Sequence, residues 1–135
     1  MRQRAPLFAI AILAIVWGCA PATPYVPKEG GAYGWEERQL DDDTWLVRFH
    51  GNPKNSPHEI ERNVLKRASQ IALEHGFSHF MLTDSHTETR RVPGFSGQFA
   101  VPSLMPGKAV IVKCFHGSPD WVESVDAERF LLSDW

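Results

Sequence analysis

The chain has 135 residues, 43% hydrophobic and 22% charged, the balance of one small folded domain. Its formal charge is −2, and setting aside the first 18 residues, which hold Arg2 and Arg4 and no acid, leaves twelve basic against sixteen acidic side chains, a charge of −4. That balance excludes a wholly disordered chain, a collagen and a coiled coil. It also argues against nucleic acid as a partner, whose phosphates demand a basic face, and against a polybasic membrane patch.

Met1 to Arg4 is a short positive start, and Leu7 to Trp17 follows as eleven uninterrupted apolar residues. A spanning helix needs roughly 20, so the run has the length and flanks of a secretory signal peptide, residues 1–18. Gly18-Cys19, with Val16 three positions before the cysteine, resembles a bacterial lipobox. The resemblance implies cleavage after Gly18 and lipidation of Cys19, giving an anchor of several acyl chains, which holds stably where one chain is marginal. Trp17 stands where lipoboxes usually place a smaller residue, and an ordinary signal peptide cut nearby is the alternative. Ala20 in place of Asp after the cysteine resembles the lipoproteins sorted to the outer membrane. With Cys19 lipidated, Cys114 has no intramolecular partner and reads as a small buried hydrophobe in Ala109–Phe115.

Ala20 to Gly31, with three prolines and two glycines, is expected as a tether that keeps the domain off the bilayer, so that residues 19–32 form the lipidated tether and 33–135 the domain. Tyr33–Leu40 and Thr44–His50 are predicted strands; in the second, Trp45, Val47 and Phe49 alternate with Leu46, Arg48 and His50. Asp41-Asp42-Asp43 reads as the turn between them. Ser56, Pro57 and Glu59 then supply an N-cap, a first-turn proline and a capping-box acceptor. Ile60, Val64, Ala68, Ile71, Ala72 and His75 recur at helical spacing, with Arg67 on a wetter face, and Gly76 stops the helix.

Phe77–His86 is the next predicted strand. Thr87–Gly107 carries three prolines and three glycines and reads as a long irregular loop. Lys108–Phe115 is a strand rich in β-branched residues, and Asp120–Phe130 a short helix. The expected fold is α+β: a small antiparallel or mixed sheet of about four strands with one main amphipathic helix packed on it.

Phe49-His50-Gly51-Asn52, Arg67-Ala68, Leu73-Glu74-His75-Gly76-Phe77 and Phe80, with Gly34-Trp35-Glu36 and Leu40 upstream, resemble an uncharacterised family of proteobacterial envelope lipoproteins. The resemblance runs from about Tyr33 to Phe80, with looser agreement around Lys108–Cys114 and Val125–Phe130. His50 stands where that family has Arg, and Ile71 where it has a small polar residue. The resemblance implies a lipobox, a short tether and a small α+β domain, and it implies no activity.

Six histidines invite a metal hypothesis. His75 and His79 are separated by the helix stop, and His79 and His86 fall at an odd spacing that turns them to opposite faces of a strand. His50 and His116 each follow a strand core and could approach, but two ligands alone bind weakly. Asp84-Ser85-His86 are adjacent, which turns their side chains apart, and no nucleophile elbow or phosphate loop is present. No catalytic residue, metal or cofactor is therefore expected. The apolar, broken segment around Phe95, Phe99 and Leu104 is the candidate partner surface, the alternative being that it folds back over the sheet. The functional expectation is a non-enzymatic, lipid-anchored envelope module that binds an envelope protein or peptidoglycan. A metal- or small-ligand-binding lipoprotein using His50, His116 and Arg90-Arg91 is the alternative.

Overall fold

The computed structural model describes residues 22–29, 33–93, 95–96 and 98–133, without the side chains of Phe95 and Ser96. Strands β1 (Gly34–Asp41) and β2 (Thr44–His50) precede helix α1 (Pro57–Glu74). Strand β3 (His79–Val92), the two-residue strands β4 (Phe95–Ser96) and β5 (Phe99–Ala100), and β6 (Ser103–Phe115) come next. The chain closes with β7 (Val125–Asp126) and α2 (Ala127–Leu132). The main sheet has the order β1-β2-β6-β3-β7, with every pair antiparallel, and α1 packs on one face. The α+β layer is as expected, with five strands in the main sheet instead of about four.

Helix α1 begins where its capping signals put it. Ser56 Oγ accepts from Glu59 N, and the Glu59 carboxylate accepts from Ser56 N at 2.7 Å. Its apolar stripe of Ile60, Val64, Ala68, Ile71 and Ala72 meets Trp45, Val47 and Phe49 of β2, Val110, Val112 and Cys114 of β6, and Phe80 of β3. Cys114 is buried as expected, and loss of hydration pushes its thiol up to about 12. His75 is exposed beyond this core, its ring lying 4.7 Å from that of Trp45.

Three expectations are corrected. Thr87–Val92 and Ser103–Gly107 are strand where a loop was expected, because β3 and β6 pair from His79↔Phe115 to Val92↔Ser103. Pro106 is tolerated inside β6 because its nitrogen and carbonyl share one edge of the strand, and that carbonyl accepts from Gly51 N just past the end of β2. The missing N–H therefore costs β3 no ladder bond. Second, residues 22–29 do not stand off as a tether. Val26 O accepts from Trp35 N at 2.9 Å, Lys28 N donates to Trp35 O at 2.8 Å, and the Asn55 amide exchanges hydrogen bonds with the Thr23 backbone. Gly34 makes this docking possible: it sits at φ +111°, and a Cβ there would lie 2.6 Å from Val26 O. Third, the segment expected as one helix over Asp120–Phe130 first pairs β7 with His79 and Phe80. Helix α2 starts only after Asp126, whose carboxylate caps Arg129 N.

Candidate functional site

Strand β2 ends opposite Gly107, whereas β6 and β3 stay paired to Ser103 and Val92. The paired ribbon therefore projects beyond the sheet as an arm, four residues or about 13 Å past the last β2 pairing at strand rise. Strands β4 and β5 close its tip, Phe95 facing Ala100 and Ser96 facing Phe99. Phe99 is 77% exposed, Leu104 54% and Val101 50%. Neither Phe99 nor Leu104 folds back over the sheet, so that alternative is set aside. Phe95 shares the tip through its backbone. Gly18 and Cys19 lie outside the described residues.

At the base of the arm, the face of the sheet away from α1 carries a polar network. The register lines up Glu36, Arg48, Ala109 and His86 across four strands, and Gly34, His50, Gly107 and Glu88 in the next row. Ala109 and Gly107 leave room on the central strand, so the long side chains of β2 meet those of β3 above it. A Cβ on Gly107 would lie 2.9 Å from Phe49 O, so no larger residue fits without a backbone shift. Arg48 donates from Nε to Glu88 at 3.2 Å and from Nη1 to Glu36 at 3.3 Å. His50 Nε2 lies 2.9 Å from Glu36 Oε1, Lys28 Nζ donates to Oε2, and His86 lies 3.4 Å from Glu88. The hydrogen bond from His50, followed by those from Arg48 and Lys28, holds the Glu36 carboxyl at about 2.

Sequence reasoning missed this network. Alternation places Glu36 with Arg38, and Arg48 with His50, on one face of each strand. The register that joins β2 to β3 through β6 has no local signal.

The histidine expectations divide. His79 and His86 share a face, because the register slips at Thr83 between Leu82 and Asp84 and restores the alternation. His50 and His116 do not approach. His50 pairs with Gly107 at the arm end, while His116 follows Phe115 at the other end of β6, stacks on Phe77 at 4.6 Å and hydrogen-bonds Gly76 O. Nine residues of strand, about 30 Å, part them. Among the described residues no three His, Cys, Asp or Glu side chains converge on a metal position. A groove of about 440 Å³ runs between residues 22–25, α1 and α2, lined by Thr23, Tyr25, Asn55, Arg62, Lys66 and Phe130 among others.

No protein-family model, curated protein or solved structure matches this chain.

Proposed function

We propose that this protein is a lipid-anchored cell-envelope module of the proteobacterial lipoprotein type. On this reading it is held at the periplasmic face of the outer membrane by Cys19 and works by binding without catalysis. One observation carries the binding reading: Phe99, Val101 and Leu104 stand exposed at the end of a projecting ribbon. Apolar side chains gathered on a small folded domain, away from its core, mark a contact surface more often than a structural need. The arm is the contact surface, and its partner is another component of the envelope. The anchoring half of the reading draws on Arg2, Arg4, the apolar run to Trp17 and Gly18-Cys19.

Mass spectrometry of the mature N-terminus tests it. The expected product starts at Cys19 with diacylglyceryl and amide-linked acyl masses, and Cys19→Ala leaves the chain unprocessed or unlipidated. A mature chain starting elsewhere without lipid overturns the anchoring.

A further inference from the structure

The arm and the incoming chain leave the domain at the same end. Thr23 is hydrogen-bonded to Asn55, and Gly51, whose Cβ position lies 3.0 Å from Asn55 Oδ1, donates to Pro106 O at the base of the arm. The bridge between Pro27 and Trp35 is parallel, so the chain before Pro27 leads back past the Gly34 end of β1, which is the arm end of the sheet. From Cys19 to Ala22 there are three peptide steps, at most about 11 Å when fully extended. An acylated Cys19 therefore holds Ala22 within that distance of the leaflet, and the contacts of Thr23, Asn55 and Gly51 tie this point to the base of the arm. The arm's own projection, about 13 Å plus its tip, is enough to cross the gap.

The composition of the arm suits that surface. From Thr89 to Gly107 the chain has Arg90 and Arg91 and no acidic residue, within a domain that is otherwise net acidic. Arg91 faces Leu104 across the ribbon, and both are exposed. Apolar side chains at a tip with cations just behind them match the order of a bilayer interface, acyl chains first and then headgroup phosphates.

We infer that the arm dips into the lipid leaflet that carries the protein's own anchor, with Phe99, Val101 and Leu104 in the acyl boundary and Arg91 at the headgroups. This rests on the lipoprotein reading and assigns its partner. Two attachments fix the orientation of the domain: the turn at Asp42-Asp43 and the ring of His116 then face away from the membrane.

The test uses the lipidated full chain in phosphatidylethanolamine/phosphatidylglycerol vesicles. A bimane label is carried at Phe99→Cys, at Val101→Cys or, at the far end of β1, at Leu40→Cys. Labelling reaches the introduced thiol because Cys19 is blocked and Cys114 is buried. Brominated acyl chains are expected to quench both arm labels at least twofold and leave the Leu40 position unchanged. Adding Phe99→Asp to the Val101-labelled chain lowers that quenching about threefold or more. Arm labels that stay open to aqueous iodide, on a chain whose Cys19 is shown to be lipidated, overturn the inference and leave the anchor standing. A blue shift that grows with protein density, without bromolipid quenching, makes a second copy the occupant and also overturns it. An unlipidated N-terminus removes the reading beneath the inference, and the inference with it.

Discussion

Arg67 shows how a charged residue at a helical surface position becomes part of the core. Its side chain is 9% exposed, its guanidinium lies 4.1 Å over the Trp35 ring, and it forks between the carboxylates of Glu37 and Glu74. The planar fork and the stacked face are both properties that Lys lacks. Removing it would leave two carboxylates facing each other beside a bared indole. Because Glu37 and Glu74 keep partial access to water, the cost falls below that of a fully buried pair. Arg67→Ala is expected to destabilise by about 2 kcal/mol, read as a lower urea midpoint, and Arg67→Lys is expected to recover less than half of that. Glu36 makes a pH-dependent case on the exposed face. Its carboxyl is held at about 2 against an ordinary 4.5, chiefly by the His50 hydrogen bond. The folded state therefore favours the ionised form, so the contribution is complete above about 4.5 and is lost as pH falls toward 2. Denaturant midpoints of the wild type and Glu36→Gln should differ at pH 6 and converge as the pH is lowered to 3 and below. A gap that widens on acidification would contradict the assignment.

At the scale of elements, the arm is separable from the domain that carries it. Its last pairing, Val92↔Ser103, closes a ladder whose core part lies elsewhere: Phe80, Val110, Val112 and Cys114 are what β3 and β6 give to the core beneath α1, and the described side chains between Pro93 and Pro102 add none. Replacing residues 93–102 by Asn-Gly, a two-residue hairpin turn suited to the twist of antiparallel strands, should leave the melting temperature within a few degrees. It should also abolish bromolipid quenching of a label at Leu104→Cys. Unfolding of that variant would mean that the tip supports the sheet. Helix α1 and the β1–β2 hairpin were legible because their signals are local: a capping box within four residues, a stripe at period 3.6, and alternation around an Asp turn. The arm was hidden by its prolines and glycines, which read as loop. Only the end of β2 at His50 explains why Pro106 is harmless. The slip at Thr83 was equally hidden, since a bulge reverses the facing of every later residue without changing the residue pattern.

For the whole molecule, the sequence by itself determined the class of fold through one strongly capped helix and alternating strands, and it carries the features on which the proposed anchor rests: a positive start, an apolar run too short to span and Gly18-Cys19. These are decided by nearest neighbours along the chain, where hydrogen-bond caps, side-chain periodicity and run length act. The tertiary structure alone decided what the surface presents. It folded residues 22–29 onto β1 and buried Arg67 against a tryptophan 32 positions away in sequence. It also joined Glu36, Arg48 and Glu88 across strands that the chain keeps far apart. Most consequentially, it sent Phe99 and Leu104 outward at the end that receives the N-terminal chain. Register and strand order arise from packing one helix over the whole sheet, a many-residue balance of burial and backbone pairing that no short window of residues contains.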